Sequence, residues 1–182
     1  IKQTLSYFTL GPEYSYENQG KNLGITPISD LMGKIVFIAD KSNPLFEQTE
    51  LDEYINLASN SMFMRALRYT DGLLNSQDQS ELTDFNKKCM SIILPDLSSS
   101  DDNYAPQLAW TTGCQMAAMC FQNFDVNMET YSAYFAKSGS AFILKPAALR
   151  YIPVTIPDAT QQNPNYSYAN RTTSTDYYSI TI

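Results

Sequence analysis

The chain has 182 residues, of which 43% are hydrophobic, so its composition is that of a globular protein with a sizeable core. The net charge of −7 argues against a general nucleic-acid binder, because contacts to phosphates need an excess of lysine and arginine. The sequence has no histidine, which excludes histidine-based acid–base catalysis and histidine metal sites within this chain.

The first third of the chain is predicted to contain two strands between short helical and irregular segments. Residues 2–10 have the spacing of a helix end, and residues 28–32 suit a short helical turn. The run Ile35-Val36-Phe37-Ile38 is continuously apolar, which predicts a strand over residues 34–39 that is covered on both faces, as in a parallel sheet. A further strand is predicted over residues 54–59.

The middle of the chain is predicted to form two helices and a strand. Apolar residues recur with helical spacing over residues 62–74, namely Phe63, Leu67 and Leu74. A second helix is predicted to begin at Ser80, whose hydroxyl suits the N-cap position. The apolar run over residues 90–94 predicts a strand that ends at Pro95.

The segment up to residue 150 is predicted to contain two helices, over residues 107–111 and 125–137, and two strands, over residues 115–121 and 141–145. Pro106 suits the first turn of one helix, while Asp125 and Gly139 suit the two ends of the other. The repeated order of strand and helix predicts an α/β fold with parallel strands joined by crossover helices. An open sheet and half of an eight-stranded barrel both fit this order.

Residues 151–182 have a different character, because they are rich in tyrosine, threonine, asparagine and proline and lack a helical period. They are predicted to form an extended arm with a final strand over residues 177–182. Such an arm is suited to pairing with another domain or subunit. The predicted boundary therefore separates a domain over residues 1–150 from an arm over residues 151–182.

Three cysteines, Cys89, Cys114 and Cys120, have spacings that fit no zinc site, so we expect them to be small apolar residues. Two of them lie in the segment from Asn103 to Gln122, which fits the pattern N-Y-x-P-x-x-x-W-x-x-G-C-Q-x-x-A-x-x-F-Q. This pattern resembles the second half of the catalytic barrel of the phosphoinositide-specific phospholipases C.

Two further segments extend the resemblance. Residues 135–150 are similar to the closing motif of that family, with departures at Ser138 and Ala141, and residues 65–68, RALR, resemble one of its helices. The resemblance covers about residues 1–150. It implies the C-terminal half, about strands five to eight, of a distorted TIM (β/α)8 barrel.

What the resemblance implies about catalysis lies mostly outside this chain. In the family, two histidines carry out acid–base catalysis, and acidic and asparagine side chains bind calcium, all in the first half of the barrel. The sequence begins at Ile1 without a methionine, so we interpret it as a fragment. We therefore expect no catalytic or metal-binding residue here, no activity from this chain alone, and calcium only in a complete family member. The expected partner is the N-terminal half-barrel, on the same or a separate chain.

The second half of the family's barrel supplies contacts to the inositol phosphates. The family's two lysines after the G-K-I strand correspond to Ile38 and Asp40, with Lys41 nearby. The family's S-R-x-Y-P strand reads Ser91-Ile92-Ile93-Leu94-Pro95, so Ile92 replaces a phosphate-binding arginine and Leu94 a ring-stacking tyrosine. Because phosphates need arginine or lysine to replace lost hydration, a polyphosphorylated inositol is not expected as substrate.

The remaining candidate substrate contacts are Ser59 or Ser61, either of which matches the family's serine, and Lys41. Two functions stay open. The first is half of a phosphodiesterase, a phosphoric diester hydrolase that acts on a less phosphorylated inositol lipid or on another phosphodiester. It would work at a membrane surface, in the cytoplasm or peripheral to the membrane. The second is a non-catalytic, barrel-derived structural protein that joins an assembly such as a virion through its C-terminal arm.

Overall fold

The structure, a computed structural model, describes residues 2–16, 21–97, 100–161, 163, 166 and 170–181. The chain divides into two units, Ile1–Tyr151 and Ile152–Ile182, and each is described by itself below.

Parallel strands form the centre of the first unit and follow one another in chain order. One sheet pairs β1 with β2, and a second pairs β3 with β4 and β4 with β5. The strands are β1 (Phe37–Ala39), β2 (Ile55–Ala58), β3 (Met64–Arg68), β4 (Met90–Leu94) and β5 (Met116–Ala117). The α/β class with parallel strands is confirmed, while the half-barrel stays a prediction.

Helices connect these strands and are ended by local signals in the sequence. The α-helices are α1 (Lys2–Leu5), α2 (Gln79–Lys88), α3 (Gln107–Thr111) and α4 (Val126–Ser138). Asp125 caps α4 by accepting a hydrogen bond from the backbone N–H of Met128, and Gly139 ends it with a φ of 64°, as predicted. Single 3-10 turns lie at Pro12–Tyr14, Ile28–Leu31, Pro44–Gln48, Asp52–Tyr54 and Ala147–Leu149, and a π-helical turn at Tyr69–Leu74. None of the helices in the described ranges is both long and apolar enough to span a bilayer.

The prediction of a helix over residues 62–74 is wrong. Residues 64–68, including RALR, form β3, which pairs in parallel with Met90–Leu94 along its whole length, and the π-helical turn follows. The apolar spacing fits both periods, and pairing with a strand distant in sequence decides between them. The helix that follows is capped by Asp78 rather than by Ser80, since the Asp78 carboxylate accepts from the backbone N–H of Glu81.

Four other predicted elements are shorter or absent. The strand predicted over residues 34–39 is reduced to Phe37–Ala39. The helix near the N-terminus ends at Leu5, and Thr9 instead forms a parallel bridge with Ile35. The strand predicted over residues 115–121 is reduced to Met116–Ala117. The strand predicted over residues 141–145 does not form, because no neighbouring strand in the described part of the chain pairs with this apolar run.

The sheet of β3–β5 separates two apolar clusters, because successive side chains of a strand point to opposite faces. We call the face that packs on the helices the outer face; Leu67 and Ile93 lie there, against Leu82, Ala109 and Met128 of α2, α3 and α4. We call the opposite side the inner face. Met64, Met90 and Ile92 lie there and pack with Leu23 and Leu57.

The second unit contains a two-stranded antiparallel hairpin. β6 (Thr172–Ser174) pairs with β7 (Ser179–Thr181), and the backbone N–H of Thr175 donates to the carbonyl of Tyr178 in the turn, at 2.8 Å. The predicted final strand is thus found within residues 177–181; Ile182 lies outside the described residues. Residues 152–161 have no regular structure and are exposed.

Candidate functional site

A cavity of about 280 Å³ lies where β1, β2, β3 and β4 bring side chains together on the inner face. Its lining is mainly apolar, from Ile38, Ala39, Met64, Ala66, Ile92 and Leu94, with Asp40 and Ser59 as its polar members. Asp40 and Ser59 directly follow β1 and β2. Ligand sites of parallel sheets gather at the carboxyl ends of the strands, so this cavity is the candidate site.

Ser59 joins the ends of β1 and β2. Its side chain is buried, and its hydroxyl donates to Asp40 Oδ1 at 2.9 Å while accepting from the backbone N–H of Lys41 at 2.8 Å. Its own backbone N–H donates to the carbonyl of Ala39 at 2.9 Å. One short side chain therefore fixes both the carboxylate and the chain direction after β1.

Asp40 is held as a carboxylate. Hydrogen bonds from Ser42 lower its pKa most, the Ser59 hydroxyl lowers it further, and the positive charge of Arg68 adds a smaller contribution. An ionised carboxylate only accepts hydrogen bonds, so it suits the hydroxyl groups of a polyol and repels phosphates. This residue therefore favours a ligand with free hydroxyls at this side of the cavity.

The three residues predicted to bind substrate differ in whether their side chains reach the cavity. Ser59 lines the cavity. Ser61 does not, since it lies in the turn before β3, where its backbone N–H donates to the carbonyl of Met64 at 3.0 Å. Lys41 contributes its backbone N–H to Ser59, while its ammonium group lies over the ring of Tyr16, 5.3 Å from the centroid.

The four positions at which the resemblance predicts a departure from the family's phosphate and ring contacts all line this one cavity; they are Ile38, Asp40, Ile92 and Leu94. Ile92 and Leu94 lie two residues apart on β4 and so share the inner face. Among the described residues that line the cavity there is a carboxylate and no cation. The cavity wall is therefore poorly suited to several phosphate groups.

Sequence reasoning missed Arg68, the last residue of β3. It lies two residues beyond Ala66 and opposite Leu94 in the strand register, so its side chain starts on the inner face beside the cavity lining. Its Nη1 donates to the carbonyl of Pro95 at 2.6 Å. The signal was the alternation of Met64, Ala66 and Arg68, which is visible once residues 64–68 are read as a strand.

A calcium site does not fit the described part of the chain. Within it, no three carboxylate, thiol or imidazole side chains lie close enough together to hold a metal ion. Calcium prefers six to eight oxygen ligands, usually with several carboxylates. No chemical step is therefore assigned to calcium on these residues.

Comparison with known proteins adds sequence and fold matches to this geometry. The family model described as "Phosphatidylinositol-specific phospholipase C, Y domain" matches residues 41–148. The mouse enzyme 1-phosphatidylinositol 4,5-bisphosphate phosphodiesterase beta-2 is 38% identical over 79 residues, which cover 42% of this chain and 7% of the enzyme. The bovine beta-1 enzyme is 34% identical over 108 residues, which cover 58% of this chain and 9% of the enzyme.

A solved structure shows the same fold. The crystal structure of PLC21 from L. pealei superposes with a TM-score of 0.57 at 24% identity, covering 68% of this chain and 21% of that one. The chain thus spans a small part of each relative that it matches.

Proposed function

The chain belongs to the family of the phosphatidylinositol-specific phospholipase C Y domain, and on that premise we propose that it forms the C-terminal half of a phospholipase C-like phosphodiesterase barrel. In this proposal it supplies one wall of the substrate cavity. The acid–base residues and the calcium ligands come from the other half of the barrel, on the same or a separate chain. The absence of histidine from the sequence supports this division of roles.

Exposed apolar side chains support a missing partner half. Phe121, which belongs to the family motif, is 66% exposed, and Phe142 and Leu144 are each 74% exposed. Large apolar side chains in this number usually mark a surface that another element covers. A second half-barrel that packs against the first unit is the occupant that we propose.

The composition of the cavity carries the proposed substrate preference. Ile92 and Leu94 offer apolar contact, and Asp40 offers a hydrogen-bond acceptor, where the family has cationic and aromatic contacts. A phosphate on the inositol ring would meet a carboxylate, whereas a free ring hydroxyl would donate to it. We therefore propose an inositol phospholipid without ring phosphates as the substrate, bound at a membrane surface, with Ser59 at the ring and the backbone N–H of Lys41 holding the Ser59 hydroxyl.

The test is cleavage by the longest natural polypeptide that contains this chain. We expect calcium-dependent release of the head group from phosphatidylinositol, and a lower kcat/KM for phosphatidylinositol 4,5-bisphosphate. Ser59→Ala should lower kcat/KM for phosphatidylinositol, and the matched variant Ser61→Ala should not, because Ser61 does not line the cavity. A preference for the bisphosphate would contradict the substrate proposal, and the lack of any calcium-dependent cleavage would contradict the enzyme proposal.

A second candidate function is assembly through the C-terminal arm. Ile152, Val154 and Ile156 occupy alternate positions of a segment without regular structure and are 65%, 81% and 84% exposed. Alternating apolar side chains on an extended backbone suit addition to the edge of another sheet, such as that of a neighbouring subunit in a virion. Truncation after Tyr151 would then disrupt the assembly, measured by light scattering, while any phosphodiesterase activity stays unchanged.

A further inference from the structure

Two arginines of β3 lie on opposite faces of the sheet. Arg65, on the outer face, binds Glu81 through both Nη atoms, at 2.7 and 2.8 Å, and its guanidinium lies 3.8 Å from the ring centroid of Phe85. Arg68, three residues on, lies on the inner face. The two side chains therefore have the same charge and different tasks.

Arg65 is paired with a carboxylate within the protein. The guanidinium of Arg65 forms a bidentate bond with Glu81 and lies over the ring of Phe85. Both partners belong to α2, so these contacts hold the helix against the sheet. The pKa of Arg65 is raised, first by the hydrogen bond to Glu81. The positive charge of Arg65 is therefore balanced within the protein by Glu81.

Arg68 is oriented but not neutralised. Its hydrogen bond to the Pro95 carbonyl fixes one Nη atom, and a guanidinium has five N–H donors in all. The ion pairs within 4.0 Å in the described ranges are those of Arg65 with Glu81 and of Lys87 with Asp84, so Arg68 has no carboxylate at contact distance there. A half-buried guanidinium without a carboxylate partner is suited to an incoming anion.

The surroundings of Arg68 place its charge beside the cavity. Leu94, the register partner of Arg68, lines the cavity. The positive charge of Arg68 also acts on the carboxylates of Asp40 and Asp96. Asp96 is itself engaged by Thr70, whose backbone N–H and hydroxyl both donate to it, at 3.0 and 2.5 Å. Asp40 likewise accepts from Ser42 and Ser59. Both carboxylates are thus hydrogen-bonded by other groups, and in the described ranges neither forms an ion pair with the guanidinium, so its remaining N–H groups can bind a phosphate. The two carboxylates keep their negative charge, which disfavours a second phosphate at this edge.

We propose that Arg68 is the anion-binding residue of this cavity and holds the single phosphate of an inositol phospholipid or of its soluble head group, while Asp40 accepts hydrogen bonds from ring hydroxyls. This inference rests on the proposed function for the identity of the ring. It deepens that function, because one guanidinium beside one carboxylate selects a ligand with one phosphate. The shared chemistry of the two ligand sources is a phosphate ester of inositol.

The test compares Arg68→Gln with Arg65→Gln in the full chain, since both remove one positive charge from the same strand. Binding of inositol 1-phosphate is measured by calorimetric titration, and binding to phosphatidylcholine vesicles with and without phosphatidylinositol by co-sedimentation. A charge-assisted bidentate contact is worth about tenfold or more in affinity, so Arg68→Gln should weaken inositol 1-phosphate binding by at least about that factor. Arg65→Gln should leave it unchanged.

Further variants and probes keep the test decisive. Arg68→Lys keeps the positive charge but lacks the paired N–H donors of the guanidinium, so its affinity for inositol 1-phosphate should fall between those of wild type and Arg68→Gln. Circular dichroism checks that each variant folds. Inorganic phosphate should bind more weakly than inositol 1-phosphate, because it cannot reach Asp40 through ring hydroxyls. Binding of the soluble head group with no added binding to phosphatidylinositol vesicles identifies the soluble ester as the ligand source; binding of both identifies the lipid.

Two results would overturn the inference: equal losses in Arg68→Gln and Arg65→Gln, or no binding of either probe by the wild-type chain. Its failure can be told apart from failure of the proposed function. Phosphatidylinositol cleavage that is insensitive to Arg68→Gln removes the role of Arg68 alone. Binding that depends on Arg68, without cleavage by the longest natural polypeptide, removes the enzyme proposal alone.

Discussion

The outer and inner faces of the β3–β5 sheet differ in how their polar groups are used. On the outer side, the buried side chain of Asn86 donates to the carbonyl of Thr112 and accepts from the Ser91 hydroxyl. The amide of Gln115 donates to the carbonyls of Asn86 and Cys89 and accepts from the backbone N–H of Ser91. On the inner side, an apolar cavity wall carries a hydrogen-bonded carboxylate and, at its edge, an arginine without a carboxylate partner in the described part of the chain.

This contrast shows on which side of the sheet the residues of the family motif lie. Gly113, Cys114 and Gln115 lie in or beside the outer network, where the thiol of Cys114 donates to the carbonyl of Ser91 at 3.1 Å. Lys145, from the closing motif, donates to the carbonyls of Asn86 and Gly113, at 2.8 and 3.0 Å. The motif residues therefore support the scaffold, and the resemblance alone says little about the ligand.

The largest expected effect comes from removing one polar side chain from each face of the sheet. Asn86 belongs to the hydrogen-bonded network on the outer side, and Ser59 is paired with Asp40 on the inner side. Asn86→Ala leaves the Ser91 hydroxyl and the Thr112 carbonyl unsatisfied in the core, which should lower the free energy of unfolding by about 3–5 kcal/mol. Ser59→Ala should cost about 1 kcal/mol, because its partner Asp40 is exposed and can bind water instead. Urea unfolding followed by circular dichroism measures both values.

Similar losses in the two variants would show that the faces are equally dependent on their buried polar groups. Asn86→Asp is the control for shape, since it keeps the acceptor for the Ser91 hydroxyl but removes the donor to Thr112. It should also be destabilised at neutral pH, because a buried charge is added.

What the sequence predicts well is what depends on nearby residues. Helix α3 was predicted with its bounds, and so were the cap at Asp125 and the end at Gly139, because these signals act within one helical turn. The strand β4 was predicted from its apolar run before Pro95. The residues that predict each of these elements lie within the element or directly beside it.

What the sequence predicts poorly depends on distant partners. RALR forms a strand because Met90–Leu94 pairs with it, and the run before Pro146 stays irregular because nothing in the described ranges pairs with it. The same limit applies to the site. Ser59 was proposed from the resemblance, but Arg68 could be recognised only after its strand and face were known.

The second prediction concerns the outer face at alkaline pH. Burial raises the pKa of the Cys114 thiol from 9.0 to about 11. Below pH 9 both the folded and the unfolded chain keep this proton, whereas above pH 9 the unfolded chain loses it first. Folding stability should therefore fall between pH 9 and 11, by about 2–3 kcal/mol from this group.

The measurement compares urea unfolding of wild type and Cys114→Ala across that range. Burial also raises the pKa of Tyr104 and lowers that of Lys145, and both groups are present in both proteins. The difference in slope therefore reports the thiol together with its Coulombic effect on these two neighbours. Cys114→Ala should begin less stable and lose less stability as the pH rises. If the free energy of unfolding falls equally with pH in the two proteins, the Cys114 thiol is not the group that makes stability depend on pH in this range.

The smallest expected effect sharpens the inner face, by changing how many phosphates its cavity can hold. Ile92→Arg adds a guanidinium to the lining, opposite Ala66 in the strand register and beside the edge where Arg68 lies. Affinity for inositol 1,4-bisphosphate should rise about tenfold over wild type, while that for inositol 1-phosphate should change less, because Arg68 already serves its single phosphate. Thr111→Arg, which adds the same charge at an exposed position outside the lining, is the control in the same calorimetric titration. A gain that is equal in both variants would come from net charge, and a gain confined to Ile92→Arg would show that the apolar character of this wall sets the number of phosphates the cavity accepts.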